Sequence, residues 1–349
     1  MPGPETILLT GSAGFIGSHA ATKLLKAGKR VIGIDNLNDY YSPTRKSRNL
    51  QEIQQENSSP EHFQFVEGDI RDSGLLQRLF QEHQIDKVVH LAGMAGVRNS
   101  IEDPALYIDI NLKGTLNLLD KARDYQVKNF VFSSTSSVYG NTQVTPFNES
   151  DPCDRPLAPY PATKRAAELL AHSYHHLYGL NFTSLRFFTV YGPRGRPDMM
   201  AYRVLDNIFF GRETPLYNQG EMFRDWTYVE DIVSGVIAAT ERQLGYALIN
   251  LGRGQPLKLS DFVRIVEEKT GRKAKLTPER MMEADIPYTF ADITRAGELL
   301  GYQPRVDVEE GIERFWQWYR KAVLEKDQSL EALRPASLAL SPDTACLES

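Results

Sequence analysis

The sequence predicts an α/β fold, a doubly wound parallel sheet followed by a smaller C-terminal α/β domain. Short apolar runs rich in β-branched and aromatic residues alternate with helical patterns from the start of the chain, and this rhythm is typical of βαβ units. The length of 349 residues fits one large or two modest domains. The predicted strands are residues 7–9, 31–34, 63–66, 88–91, 130–132 and 182–187.

Helices are expected between these strands, with Gly28, Pro43, Pro60, Pro104 and Gly179 as breaks or starts. Their approximate spans are residues 15–27, 45–56, 73–83, 104–125 and 161–178. Each helix is long enough to cross from one parallel strand to the next.

A second region begins after Tyr191, where a proline- and arginine-rich turn interrupts the alternation. Helices are expected near residues 200–211, 230–241, 260–270 and 308–325. We therefore predict a first domain over residues 1–190, to which segments near 225–255 return, and a second domain mainly over 191–325. Residues 328–349 have no periodic pattern and are expected to be disordered.

Charge and cysteine content narrow the possible functions. With 40 Lys and Arg against 45 Asp and Glu, the net charge of −5 argues against nucleic acid as a partner. Cys153 and Cys346 are too few for a disulfide framework, and no apolar run or basic leader predicts a membrane or export route. Residues 346–349 formally fit a prenylation box, but Glu348 occupies an aliphatic position. We expect a cytoplasmic protein without a structural metal.

The first strand is followed directly by a glycine pattern that opens the first helix. Gly11, Gly14 and Gly17 have the spacing that allows a tight turn, close approach of a pyrophosphate and close helix packing. Asp35 ends the second strand, 18 residues after Gly17, where a carboxylate can accept hydrogen bonds from an adenosine ribose. A 2′-phosphate would meet like charge there, so the pattern predicts a Rossmann fold that binds NAD in preference to NADP.

Tyr160 and Lys164 are four residues apart at the start of a predicted helix, hence on one face. An ammonium beside a phenol favours the phenolate and would lower the pKa of Tyr160 toward neutrality, giving a usable base. By itself this pair is common, and an exposed tyrosine beside a solvated lysine would explain it equally well.

The segment 132–140, Phe-Ser-Ser-Thr-Ser-Ser-Val-Tyr-Gly, stands at the carboxyl end of a central strand, where such sheets bind ligands. With it, the chain resembles the extended short-chain dehydrogenase/reductase family, and within it the nucleotide-sugar epimerases, from about Thr6 to Tyr319. In that family a Ser or Thr 25 residues before the catalytic Tyr shares the substrate hydroxyl, which implies Thr135.

The resemblance implies transient oxidation of a sugar. Tyr160 would remove the proton of the C4 hydroxyl, NAD would take the C4 hydride, and the hydride would return to the other face of the 4-keto sugar. Lys164 would hold the nicotinamide ribose. The expected cofactor contacts are Gly11, Gly14, Phe15, Ile16, Gly17, Asp35, Asn36, Asp69, Ile70, Leu91, Ala92, Gly93, Tyr160 and Lys164.

The substrate is indicated by Ser136 and Ser137, which stand where dehydrating relatives carry Asp-Glu. Segments 93–100 and 189–199 are similar to those of UDP-glucuronate 4-epimerases, which implies that Thr189 and Arg196 lie near a uronate carboxylate. By the same resemblance, Arg224 would reach the pyrophosphate and Asp285 the uridine ribose. The expected substrate contacts are Arg98, Ser136, Ser137, Thr189, Arg196, Pro215, Leu216, Tyr217, Arg224 and Asp285.

Three functions stay open at this point: a UDP-glucuronate 4-epimerase, an epimerase of a neutral sugar such as UDP-glucose or UDP-N-acetylglucosamine, and a non-catalytic NAD-responsive binding protein. The intact Thr135, Tyr160 and Lys164 disfavour the third. A metal site is not expected at His172, His175 and His176, which share a helix face, because no Asp, Glu or Cys is indicated as a further ligand. A packed or interfacial face is expected instead. The resemblance implies a homodimer formed by the helices near 104–125 and 161–178.

Overall fold

The computed structural model describes residues 3–281 and 284–324. The expectations for the 328–349 tail and for the prenylation box lie outside the described residues. The strands are β1 (Thr6–Thr10), β2 (Arg30–Asp35), β3 (Phe63–Glu67), β4 (Lys87–His90), β5 (Asn129–Thr135), β6 (Phe182–Phe187), β7 (Thr189–Tyr191), β8 (Glu213–Tyr217), β9 (Phe223–Arg224), β10 (Trp226–Tyr228), β11 (Tyr246–Leu251), β12 (Leu257–Lys258) and β13 (Lys275–Glu279).

The helices cover both faces of the sheet and build the second region. They are α1 (Phe15–Lys26), α2 (Pro43–Glu56), α3 (Ser73–Glu82), α4 (Val97–Glu102), α5 (Pro104–Tyr107), α6 (Gly114–Asp124), α7 (Pro159–Tyr178), α8 (Met200–Phe210), α9 (Val229–Thr240), α10 (Leu259–Thr270), α11 (Thr294–Leu300) and α12 (Val308–Tyr319). Short 3₁₀ or π segments occur at Pro60–His62, Ile108–Lys113, Ser136–Tyr139, Asn218–Gly220 and Arg320–Leu324.

The central sheet has seven parallel strands in the order β11-β6-β5-β4-β1-β2-β3. Every residue of β1, β4, β5 and β6 is buried, because helices cover both faces. The predicted fold class is therefore confirmed. The order reverses between β1 and β4, and the crevice at their carboxyl ends is where doubly wound sheets bind ligands.

The seventh strand, β11, comes from the later part of the chain and pairs with β6. Helix α9 precedes it and packs against α1 and β5, so this part of the chain lies against the first region. The remaining strands form three small two-stranded sheets, β10 with β7, β12 with β9 and β13 with β8. They carry the loops that face the cleft from the second region.

One long helix expected over residues 104–125 is divided in the structure. Asp103 caps α5 by accepting from the Leu106 N–H, and Pro104 occupies the first helical position. The π turn Ile108–Lys113 then interrupts the helix before α6, and such turns are frequent at functional sites. Sequence periodicity cannot distinguish this insertion from a continuous helix.

Within residues 3–281 and 284–324, none of the helices is both long and apolar enough to span a lipid bilayer.

Candidate active site

A cleft of about 1160 Å³ opens at the carboxyl ends of the central strands. All the predicted catalytic and cofactor residues line it, as do eight of the ten predicted substrate residues. The two exceptions are Pro215 and Leu216. They lie in β8, where they pair with β13, and they do not line the cleft. The structure thus brings together residues that are far apart in the sequence, although the individual roles assigned to them stay predictions.

The glycine turn between β1 and α1 has no room for side chains. A Cβ on Gly17 would lie 1.9 Å from the carbonyl oxygen of Gly11, and a Cβ on Gly11 would lie 2.7 Å from the Ala92 nitrogen. Gly11 also has a φ of +72°, which side chains rarely tolerate. No side chain caps α1 at Gly14, so its first N–H groups suit a bound anion.

Asp35 lies at the adjacent wall of the cleft, buried at the end of β2. Its two carboxylate oxygens accept from the N–H groups of Ala13 and Leu37, at 3.2 and 2.9 Å, and Lys46 Nζ stands 3.9 Å away. Burial raises the pKa of Asp35, while Lys46 and the backbone donors lower it. These contacts fix the carboxylate at the position predicted for ribose recognition.

Asn36 and Asp69, both predicted cofactor residues, contact each other through a hydrogen bond of 2.9 Å from Asn36 Nδ2 to Asp69 Oδ2. Arg71 donates to the same carboxylate and, against the effect of burial, holds the pKa of Asp69 at about 2. Asp69 is therefore an ionised acceptor at the edge of the cleft.

The proposed catalytic side chains come from two elements, the end of β5 and the first turns of α7. Pro159 at the start of α7 favours helix initiation there, and the helix places Tyr160 and Lys164 one turn apart. Lys164 Nζ donates to the Ser133 carbonyl at 2.8 Å and lies 4.7 Å from the Phe132 ring centroid. Thr135 is nearby on the same strand end, where its hydroxyl accepts from the Ser137 N–H at 3.1 Å.

The electrostatics of this pair differ from the sequence expectation. Burial raises the pKa of Tyr160, and the groups found to lower it are the Thr135 hydroxyl and the Arg196 guanidinium. Burial also lowers the pKa of Lys164 to about 7, with the Glu168 carboxylate opposing it. Burial in the wall of the cleft thus favours the neutral amine of Lys164, whereas Arg196 is a positive charge that favours the phenolate of Tyr160.

Asn111 is a site residue that the sequence analysis did not identify. It lies buried in the π turn, donates from Nδ2 to the Met94 carbonyl at 2.9 Å, and accepts at Oδ1 from the Met94 N–H at 2.8 Å. It also donates to the Thr163 hydroxyl of α7. These bonds fix the loop after β4 beside Lys164. Only the irregular helix signals this role, and no spacing rule would have found it.

Five arginines line the cleft, and the three that were predicted as substrate contacts each have a different partner. Arg98 donates to the Tyr217 hydroxyl at 2.8 Å and to Asp285 Oδ2 at 3.0 Å, and so connects α4 to the second region. Arg224 donates to the backbone carbonyls of Phe223 and Pro287, and burial lowers its pKa to about 10. A guanidinium held by carbonyls keeps its charge available for an anion.

Arg196, the third, lies in the turn after β7 and forms a two-pronged ion pair with Asp198. That partner keeps the pKa of Arg196 above its ordinary value although burial opposes the charge. Tyr40 contacts both residues of the pair. Neither Tyr40 nor Asp198 was predicted. The hydrogen bond between them joins residues 158 apart in sequence, although Asp198 is only two residues from Arg196.

The three histidines of α7 form no metal centre. Within the described ranges, no group of three or more His, Cys, Asp and Glu side chains could hold a metal ion. His172 packs edge-on against Tyr246, with ring centroids 4.8 Å apart, and His175 Nδ1 hydrogen-bonds the Leu180 carbonyl oxygen at 2.9 Å. Two of the three are thus explained by packing.

Comparison with known proteins is consistent with this geometry. The sequence profile described as GDP-mannose 4,6 dehydratase matches residues 8–315. A UDP-glucuronate 4-epimerase of Thermodesulfobacterium geofontis is 44% identical over 317 residues, covering 90% of this chain and 96% of that protein.

Two crystal structures are equally similar in shape. The UDP-glucuronic acid 4-epimerase of Bacillus cereus, solved with UDP-glucuronic acid and NAD, has a TM-score of 0.83 at 35% identity over 90% of this chain and 99% of that one. A UDP-glucose 4-epimerase of Thermotoga maritima, solved with UDP-glucose, also has a TM-score of 0.83, at 33% identity and the same coverage.

Proposed function

Because the chain belongs to the GDP-mannose 4,6 dehydratase family of extended short-chain dehydrogenases/reductases, we propose that it interconverts UDP-glucuronate and UDP-galacturonate. The reaction is a transient oxidation at C4 followed by reduction from the opposite face. The observation that carries the sugar assignment is the position of Arg196, a cleft-lining cation close enough to Tyr160 to lower its pKa.

The residues present fit NAD as the resident cofactor. A side chain on Gly17 or Gly11 would fill the turn at the start of α1, and the uncapped helix start offers N–H groups to a pyrophosphate. Asp35 and Asp69 supply carboxylates for the adenosine portion, and Lys164 would hold the nicotinamide ribose. When bound, NAD supplies the acceptor for the C4 hydride and the donor that returns it.

The chain's own groups handle the proton and the orientation of the sugar. Tyr160 accepts the proton of the C4 hydroxyl, assisted by Thr135 and Arg196, the two groups that lower its pKa. The same phenol gives the proton back when C4 is reduced. The Ser133 carbonyl accepts from Lys164, and Asn111 holds the neighbouring Thr163 hydroxyl and the Met94 backbone.

Arg196 distinguishes a uronate from a neutral sugar. Its side chain is 18% exposed, so its charge is largely desolvated and interacts strongly with a carboxylate. Ser136 and Ser137 line the same wall and add hydroxyl donors, while neither supplies the carboxylate that elimination of a C6 hydroxyl would need. Arg224 and Asp285 line the same cleft, and we assign them to the pyrophosphate and the uridine ribose.

Overall shape does not decide between a charged and a neutral sugar, since both crystal structures align equally well. We therefore test the assignment by incubating the purified protein with UDP-glucuronate, without added cofactor, and separating the products by chromatography. The proposal expects UDP-galacturonate. Turnover of UDP-glucose with none of UDP-glucuronate would contradict it and favour the neutral-sugar epimerase.

Replacing Arg196 by Ala should weaken binding of UDP-glucuronate by roughly 2–5 kcal/mol and that of UDP-glucose far less, because only UDP-glucuronate has a carboxylate that can pair with Arg196. The rising limb of the pH–rate profile should also move to higher pH, since Arg196 lowers the pKa of Tyr160. Calorimetric titration with both sugars measures the first effect and initial rates measure the second. Equal losses for both sugars would make Arg196 a general structural residue.

We also propose that the protein is a homodimer that uses the outer face of α7. Leu169, Leu177 and Tyr178 of this helix are 54%, 65% and 52% exposed, and packing against a second copy would remove their apolar surface from water. Sedimentation should give about twice the chain mass of 39.5 kDa, and Leu177→Glu should give a monomer. Leu276→Glu, at an exposed leucine of β13, is the matched control. A wild-type monomer would contradict the proposal.

A further inference from the structure

The turn after β7 holds Arg196 by one edge only. Its Nε donates to Asp198 Oδ1 at 3.0 Å and its Nη2 donates to Asp198 Oδ2 at 2.5 Å. Both carboxylate oxygens are thus used by the side edge of the guanidinium. The end edge, formed by Nη1 and the second N–H of Nη2, is the part left for another acceptor.

Asp198 is itself held from across the cleft. The Tyr40 hydroxyl donates to Asp198 Oδ2 at 3.2 Å, and Asn99 Nδ2 donates to the same hydroxyl at 3.3 Å. The guanidinium carbon of Arg196 lies 5.2 Å from the centroid of the Tyr40 ring. The loops after β2 and β7 therefore meet helix α4 at this ion pair.

We infer that Asp198 is the positioning residue that makes Arg196 selective for a uronate carboxylate, an inference that rests on the proposed function. A free arginine has many rotamers, and ordering one on binding reduces affinity. Here the fork geometry of Asp198 fixes the plane of the guanidinium before substrate arrives, and the Tyr40 ring supports one face of it. The end edge of this cleft-lining residue can then offer two parallel hydrogen bonds to a carboxylate.

The negative charge of Asp198 has a second consequence for specificity. A buried, uncompensated guanidinium would attract any anion, whereas the pair with Asp198 is close to neutral. An acceptor with two oxygens, such as a carboxylate, gains most from the end edge. Asp198 thus lowers the affinity of Arg196 for anions in general and favours the uronate carboxylate.

Positioning also bears on the stability of the oxidised sugar. A 4-keto uronate is a β-keto acid: its C5–C6 bond can break, C6 leaves as CO₂, and the electron pair passes to C5, which takes a proton from water. A UDP-4-keto-pentose results, and the hydride taken from C4 stays with the cofactor. A firmly held carboxylate resists the rotation that this cleavage needs, so loosening Arg196 should raise the decarboxylated share of product.

The test replaces Asp198 with Asn, which keeps the size of the side chain and removes its charge. We expect kcat/KM for UDP-glucuronate to fall at least tenfold and the decarboxylated share of product to rise. The Kd for UDP-glucose should stay within twofold of wild type. Asp198→Glu restores the charge and should recover part of kcat/KM. Asp39→Asn is the matched control, because it removes one negative charge from an exposed position in the Tyr40 loop.

The outcomes separate this inference from the function beneath it. If Asp198→Asn keeps kcat/KM and the product ratio of wild type while Arg196→Ala is selectively impaired, the positioning role is wrong and the function stands. Equal weakening of both sugars by Asp198→Asn would indicate a merely structural role and also overturns the inference. If wild type does not epimerise UDP-glucuronate, the proposed function itself fails. Unfolding temperatures of all variants identify any that fail to fold.

Discussion

The two ends of the cleft are constructed in different ways. At the cofactor end, Gly11, Gly17 and Asp35 lie within 25 residues and act through backbone geometry and backbone N–H groups. At the substrate end, the contacts of Arg98 with Tyr217 and Asp285 join side chains 119 and 187 residues apart. The glycine turn and the ribose-binding carboxylate of the cofactor end are therefore encoded in one short segment. The contacts of the substrate end depend on the whole fold being assembled.

Tyr160 stands between the two ends, and its replacement should have the largest effect. Tyr160→Phe removes the proton acceptor with almost no change in volume, and loss of a general base typically costs about 10²–10⁴-fold in rate. Chromatographic rates with UDP-glucuronate measure it. Tyr107→Phe is the control, since its ring packs edge-on against Tyr160, 6.1 Å away, and its hydroxyl bonds only backbone carbonyls. A Tyr160→Phe enzyme with more than half the wild-type rate would contradict the assigned role.

The local encoding of the cofactor end is tested by adding one methyl group. Gly17→Ala should lower the free energy of unfolding by roughly 3 kcal/mol, because its Cβ would lie 1.9 Å from the Gly11 carbonyl oxygen. NAD affinity should fall as well. Gly14→Ala, whose Cβ would meet the same oxygen at 3.1 Å, should cost much less stability. Urea unfolding of both variants provides the comparison, and equal stabilities would mean that the turn tolerates side chains.

His19 connects the two ends, since it lies on α1 and hydrogen-bonds the Pro193 carbonyl oxygen of the Arg196 turn at 2.9 Å. Burial and the nearby Arg194 charge lower the pKa of His19 to about 4. The folded pKa is below the unfolded value near 6.5, so the stability that neutral His19 contributes is complete above about pH 6.5 and is lost as the pH falls through 4.

The variant His19→Gln keeps a donor and removes the titration. It should cost about 1 kcal/mol at pH 7.5, and its free energy of unfolding should depend less on pH than that of wild type between 6.5 and 4. His62→Gln, remote from the turn, is the control. Parallel pH dependence of wild type and His19→Gln would show that burial does not lower the pKa of His19 in the folded protein.

The sequence predicted the parts of the molecule that are locally encoded. The order of strands and helices, the glycine turn and the position of Asp35 follow from periodicity and spacing within short segments, and the fold class is confirmed. The division of the helix after Pro104 and the role of Asn111 were missed, because a π turn has no composition of its own.

Partners at the substrate end were missed for a different reason. Arg196 was identified by resemblance, but the contact of its ion pair with Tyr40 depends on how the loops after β2 and β7 meet. The burial of Lys164, which lowers the pKa of the ammonium expected to act on Tyr160, was not foreseen either. Spacing locates a charged group but cannot indicate its desolvation.

The central claim is that one bound cofactor takes the hydride from C4 and returns the same hydride to C4. The most direct test is incubation of the protein with UDP-glucuronate that carries deuterium at C4, in ordinary water and without added cofactor, followed by mass spectrometry of the UDP-galacturonate. The account predicts that the epimer keeps all of its deuterium at C4. Loss of the label to water, or uptake of solvent deuterium at C4 in the reverse experiment in D₂O, would contradict it.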